Sequence, residues 1–190
     1  MGTQAGQERM FVALRIGQEA AESLSDWSAS LHEKYNFRKW THAQDLHITI
    51  QFLGDVWVEE IPPLQQAIAQ IAAQTQSFAL QIGSLDTFGL IEAPRVWWVH
   101  PEGDLQSLHI LQQRIGQACT ELGYVIDDRP YRPHITIARK YKGEIPFSEL
   151  DHTFQLPPIG WQVTEIVLCK IRIGHQPSYE NISTFPLVKE

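Results

Sequence analysis

Apolar positions along the chain follow two rhythms. Short apolar or alternating runs, bounded by Gly, Pro or polar residues, predict strands from Met10 to Ile16 (MFVALRI), Leu46 to Leu53, Phe78 to Ile82, Arg95 to Val99, Arg132 to Arg139, Val163 to Ile173 and Ile182 to Val188. Longer stretches repeat apolar residues every three to four positions and predict helices. The first runs from about Glu19 to Tyr35, with Ala20, Leu24, Trp27 and Leu31 on one side. The second runs from about Ile61 to Thr75, with Pro62 and Pro63 in the first turn and Leu64, Ile68 and Ile71 as its stripe. The third, Leu105 to Leu122, carries Leu108, Leu111, Ile115 and Cys119 and stops at Gly123. A short helix is expected at Ser148 to His152, and residues 1 to 8 read as a loose tail. Strands outnumber long helices and no Gly/Ser linker interrupts them, which predicts one continuous domain of α/β or α+β class over residues 1–190.

Composition narrows the function. A chain of 190 residues with 43% hydrophobic and 19% charged residues supports a packed core, against a disordered or multidomain reading. Its net charge of -7, from 15 basic and 22 acidic residues, argues against a broad grip on a nucleic-acid backbone and leaves room for a local phosphate site. Cys119 and Cys169 stand 50 residues apart without CxxC spacing, which fits neither a zinc site nor a disulfide framework. With no signal-like N-terminus and no membrane-length apolar run, a reduced cytoplasmic protein is expected.

The feature that points to chemistry is a repeated tetrapeptide. His47-Ile48-Thr49-Ile50 recurs as His134-Ile135-Thr136-Ile137, 87 residues later, each copy inside a predicted strand. With 19 Ile and 10 Thr in the chain, a second copy at another His arises by chance about 0.4% of the time, so the repeat is read as architecture. Strand side chains alternate, so His and Thr share one face while the isoleucines bury the other. If the copies pack about a pseudo-twofold axis, two imidazole and hydroxyl pairs meet across one cleft. A lone strand His is more often structural than catalytic; the repetition is what reverses that expectation.

Around the second copy, Arg129, Arg132, Arg139, Lys140 and Lys142 place five cations in fourteen residues without an acid, just after Asp127 and Asp128. A phosphate suits such a setting. Arg139 has the opposite strand parity to His134 and so reaches the site only from the strand end or through a local twist.

These motifs resemble the 2H phosphoesterases, in the RNA 2',3'-cyclic phosphodiesterase and 2'-5' RNA ligase branch. The likeness runs through MFVALRI, HITIQFLG (His47 to Gly54), PRVWWV (Pro94 to Val99) and YRPHITIAR (Tyr131 to Arg139), in family order and over nearly the whole chain. After the last long strand the family often has a Gly/Pro-rich turn and a Tyr, where this chain reads GHQPSYENI. The resemblance implies a bilobal, duplicated α+β fold, with two antiparallel sheets facing a central cleft and helices packed outside. It further implies metal-independent hydrolysis of a terminal 2',3'-cyclic phosphate on RNA to a 2'-phosphomonoester, with ATP-independent 2'-5' ligation in vitro. His47 would be the general acid, His134 the general base, Thr49 and Thr136 phosphate ligands, and Arg139 a cationic phosphate contact. No cofactor and no metal are implied. The partners would be cyclic-ended RNA, tRNA fragments among them, or small cyclic nucleotides, bound by a monomer away from membranes.

Two imidazoles suit this chemistry from first principles, since one can take the proton from water while the other gives one to the departing ribose oxygen. Two alternatives remain: a module that binds nucleotides or RNA ends without turnover, and a phosphodiesterase for another cyclic phosphate such as ADP-ribose 1'',2''-cyclic phosphate. A metal site built on His47 and His134 lacks the further ligands zinc needs. Trp40 and Tyr131 are weighed as base-stacking or packing residues, and His42 as a solvent-facing loop residue. His100, His109, His152 and His175 have no repeated context and receive no role.

Overall fold

The computed structural model describes residues 6–126, 129–150 and 155–189. Within them the strands are β1 (Gln7–Arg15), β2 (Phe37–Trp40), β3 (His47–Trp57), β4 (Phe78–Gly89), β5 (Pro94–Gly103), β6 (Ile135–Tyr141), β7 (Gly160–Val163), β8 (Glu165–Ile171) and β9 (Tyr179–Pro186). The helices are α1 (Gln18–Ala29), α2 (Ile61–Ala72) and α3 (Leu105–Glu121). The sheet order is β7-β4-β5-β6-β3-β1-β8-β9, with β2 on β6, and every named pairing is antiparallel.

The two halves of this order meet at one residue pair. Between β3 and β6 the register partners are Ile48 and Ile135, the second residue of each HITI copy. On one side lie β3, β1, β8 and β9; on the other β6, β5, β4 and β7 with β2. The duplicated motif therefore sits at the seam, and both isoleucines are fully buried there.

The helices cover the face opposite the histidines. Leu64, Ile68, Leu108, Leu111 and Ile115 join Met10, Val12, Leu14, Ile48, Ile50 and Leu168 in one core. Helix α1 follows β1 in the chain but packs on the other half, where Trp27 lies 5.9 Å from Trp97. The opposite face of β1 and β8 is apolar too, because Phe11, Ala13, Val167 and Cys169 form a separate buried cluster. A strand buried on both faces is a continuous apolar run, and that is how FVAL and IVLC read.

Several boundaries differ from the periodicity. The predicted first helix stops at Ala29, where the hydroxyls of Ser28 and Ser30 donate to the carbonyls of Ser25 and Trp27 and compete with the helical ladder. The chain then forms β2, which the sequence pattern does not announce. The run predicted as one strand from Val163 to Ile173 is two: β7 pairs with β4, and β8 with β1 and β9, so the chain changes halves at Thr164. Gln7 and Glu8, assigned to a loose tail, belong to β1 and pair with Trp57 and Val56. The expected helix at Ser148 to His152 is a 3-10 turn over Phe147–Glu149, and His152 lies outside the described residues, as do Asp127 and Asp128. Helix α3 ends as expected: Gly123 adopts φ +90, a left-handed conformation that costs glycine little.

Candidate active site

Each motif carries a β-bulge at the same place. Along β1 and β3 the partners run Val12 to Gln51 and then Ala13 to Thr49, leaving Ile50 as the extra residue. Along β5 and β6 they run Trp97 to Ala138 and then Trp98 to Thr136, leaving Ile137 extra. A bulge shifts the alternation of faces by one residue. Thr136 and Arg139, three apart, therefore share the cleft face, and the Arg139 guanidinium donates to Thr136 Oγ1 at 3.3 Å. This local irregularity resolves the parity objection to Arg139. The same shift in β3 turns Phe52, the matching position, outward with 46% of its surface exposed.

The two histidines are held identically. His47 Nδ1 lies 2.6 Å from the Asp45 carbonyl oxygen, and His134 Nδ1 lies 2.7 Å from the Arg132 carbonyl oxygen. A carbonyl only accepts, so Nδ1 carries the proton in each ring and Nε2 of the neutral imidazole is an acceptor. The Thr49 hydroxyl donates to His47 Nε2 at 3.0 Å. Aromatic rings set the tilt of both imidazoles: His47 lies 5.0 Å from Phe11 and 5.1 Å from Tyr179, and His134 lies 5.2 Å from Phe88 and 5.6 Å from Trp98.

The electrostatics favour neutral rings. His47 is lowered from 6.5 to about 4, first by burial; the bond to the Asp45 carbonyl opposes this, and the nearby charges of His134 and Arg139 add to the lowering. His134 is lowered as well, first by burial and then by Arg139 and His100. One guanidinium thus bears on both rings, and it also reaches the Tyr179 hydroxyl, whose pKa burial raises. An anion placed beside Arg139 would reverse these effects and favour the imidazolium form.

Asp45 and Tyr179 are residues that motif reasoning missed. The buried Asp45 carboxylate accepts from the backbone N–H of Ser178 at 2.8 Å and of Tyr179 at 3.1 Å, which ties the start of β9 to the residue two before His47. The only signal in the sequence is the Tyr within GHQPSYENI. Tyr131 bridges the halves, donating its hydroxyl to the Thr49 carbonyl at 3.0 Å. Trp40 packs in an aromatic cluster with Phe37 and Trp97, and His42 caps a 3-10 turn through the Gln44 N–H. His100 contacts Asp86 at 3.5 Å.

A cavity of about 1180 Å³ opens on this constellation, with Thr49, Tyr131, His134 and Arg139 in its wall. His47 and Thr136 adjoin it through their bonds to Thr49 and Arg139. Among the described residues, no three His, Cys, Asp or Glu side chains converge as metal ligands. No helix among them is long and apolar enough to cross a membrane.

Residues 16–174, which include both motifs, match the model of the 2'-5' RNA ligase superfamily. The chain belongs to that superfamily. A relative from Geobacillus stearothermophilus, named RNA 2',3'-cyclic phosphodiesterase, is 38% identical over 94% of this chain, and the chain spans 57% of that relative's length. A Bacillus subtilis relative of the same name is 34% identical over 80% of this chain and 81% of its own. The crystal structure of Escherichia coli LigT complexed with 3'-AMP superposes with a TM-score of 0.75 at 23% identity, covering 96% of this chain and 99% of that one. The chain thus shares the fold of that structure, a curled antiparallel sheet with few helices.

Proposed function

We propose that the chain hydrolyses the terminal 2',3'-cyclic phosphate of RNA to a 2'-phosphomonoester without a metal ion, as one domain of two pseudo-symmetric halves acting as a monomer. The observation that carries this reading is the matched pair of imidazoles, each with Nδ1 tied to a backbone carbonyl and both under the influence of one guanidinium at the cleft. The relatives' name supports the substrate class.

The phosphate's non-bridging oxygens accept from the Thr49 and Thr136 hydroxyls and from Arg139, which neutralises charge as it builds in the transition state. Water attacks phosphorus in line with the P–O3' bond. His134 Nε2 takes its proton, the P–O3' bond breaks, and His47 Nε2–H protonates the leaving O3'. The His47 proton is acquired when the phosphate anion arrives, because burial and Arg139 otherwise keep the ring neutral. With a 5'-hydroxyl in place of water, the reverse of the related cleavage forms a 2'-5' linkage without ATP.

The test is release of 2'-phosphate from a cyclic-ended oligonucleotide in EDTA, with wild type, His47→Asn and His134→Asn. Each substitution is expected to lower kcat by about 10²–10⁴-fold. Full activity in either variant refutes the two-histidine mechanism. Binding without turnover over a range of pH would indicate a recognition module, and preference for ADP-ribose 1'',2''-cyclic phosphate a different cyclic substrate.

A further inference from the structure

Beyond the histidines the cavity continues along a wall built by the end of β4, the start of β5, the end of β6 and the segment before β6. Arg95, Arg129, Arg132 and Lys140 line it beside Arg139, and among the described residues no Asp or Glu does, although the whole chain carries a net charge of -7. At about 1180 Å³ the cavity exceeds the roughly 300–1,000 Å³ typical of small-molecule sites.

The backbone is shaped to collect these cations. Consecutive strand residues face opposite ways, yet Arg139 and Lys140 both line the cavity. Lys140 achieves this with φ +61, the one positive φ among described non-glycine residues. Strain of this kind concentrates at sites that use it. Arg95 stands next to the Val96–Arg139 pair of the β5–β6 ladder, and its stem crosses Gly89 so closely that a Cβ there would meet Arg95 N at 3.0 Å and Cγ at 3.2 Å. Arg132 offers its carbonyl to His134 while its side chain is exposed to the cavity. Among the described residues, Arg95, Arg132 and Lys140 have no ion-pair or side-chain hydrogen-bond partner.

We infer that this wall is a strand-binding track. It takes the internucleotide phosphates on the 5' side of the reacting end, so that the chain selects a polynucleotide end over a cyclic mononucleotide. The inference rests on the hydrolase reading above. A terminal cyclic phosphate occupies Arg139 and the two Thr-His pairs, and the rest of the strand leaves through the 5' oxygen of that nucleotide. Arg95, Arg132 and Lys140, further along the same cavity, have no use for a mononucleotide, whereas each internucleotide phosphate offers them one charge. Confining the cations to one wall also reconciles strand binding with an acidic chain, since counterion release depends on the local contacts.

The experiment compares kcat/KM for a 2',3'-cyclic mononucleotide and a cyclic-ended oligoribonucleotide of about five residues, at about 50 and 200 mM salt, using wild type and an Arg95→Ala/Lys140→Ala double variant. The wild type is expected to prefer the oligonucleotide by tenfold or more at low salt. In the double variant that preference falls about tenfold, and the log-log salt slope becomes shallower by about 1.4, or 0.7 for each lost phosphate contact. Equal kcat/KM for the two substrates in wild type, or an undiminished preference in the variant, overturns the track. If wild type turns over neither substrate, the hydrolase reading fails by itself. Fluorescence anisotropy of a labelled 2'-phosphorylated oligonucleotide then decides the track: about tenfold weaker binding by the variant supports it, and equal binding rejects it.

Discussion

Protonating His47 should cost this protein stability, by an amount that follows from its surroundings. The ring lies against Phe11 and Tyr179 under the influence of Arg139, and its pKa falls from 6.5 to about 4. Above pH 6.5 it is neutral in the folded and unfolded chain alike. Below that, the unfolded chain accepts a proton that the folded chain refuses until about pH 4, so stability is full above pH 6.5 and is lost as pH falls toward 4. At about 1.4 kcal/mol per pH unit the full effect is about 3 kcal/mol, of which about 2 kcal/mol falls between pH 7 and pH 5. The ring is partly open to the cleft, and screening by solvent brings the expected figure to about 1–2 kcal/mol. His47→Asn is a fitting control, because the Asn amide keeps a donor near Nδ1 for the Asp45 carbonyl and cannot titrate. Urea unfolding of both proteins at pH 7 and pH 5 isolates the effect: the wild type should lose about 1–2 kcal/mol more than the variant, whatever the variant's absolute stability. Equal losses would refute the claim that the fold holds His47 neutral.

Three further outcomes follow from the site. Thr136→Val removes the hydroxyl that accepts from Arg139 while keeping the side chain's shape, so kcat/KM on a cyclic-ended oligonucleotide should fall about five- to tenfold with little change in Tm, as read by thermal melting. Arg139→Lys keeps the charge but loses the planar fork that spans Thr136 and Tyr179; KM should rise about tenfold in steady-state assays, with the His47 stability profile retained. Asp45→Asn weakens the clamp on Ser178 and Tyr179, and chemical denaturation should show a loss of about 2–3 kcal/mol, accompanied by a higher KM as Tyr179 loosens against His47.

The site was legible where chemistry and local geometry coincide. HITI in a strand places His and Thr on one face and Ile on the other, and the structure places Ile48 and Ile135 in the core and Thr49, His134 and Arg139 on the cleft. The apolar runs of β1 and β8 announced strands, and the structure buries both of their faces. Arg139 was legible as a charge whose direction depended on a strand end or a local twist, and the extra residue at Ile137, which alternation does not record, supplies the irregularity. Asp45 drew no reading from the motif, because its partners are 133 and 134 positions away.

What the sequence by itself determined is therefore local: the period-two and period-3.6 patterns, the helix stop at Gly123, and the duplicated His-Thr pair in the two HITI segments. These depend on side-chain direction and propensity over a few residues, which a linear pattern records. The tertiary structure alone decided that the two copies meet through Ile48 and Ile135, that matching bulges aim Arg139 and Phe52, that the run from Val163 breaks at Thr164 to serve both halves, and that Arg95 joins the cations around the second motif on one wall. Each of these depends on which strand lies alongside and in what register. Hydrogen-bond partners far apart in the chain set that register, and no window of the sequence contains them.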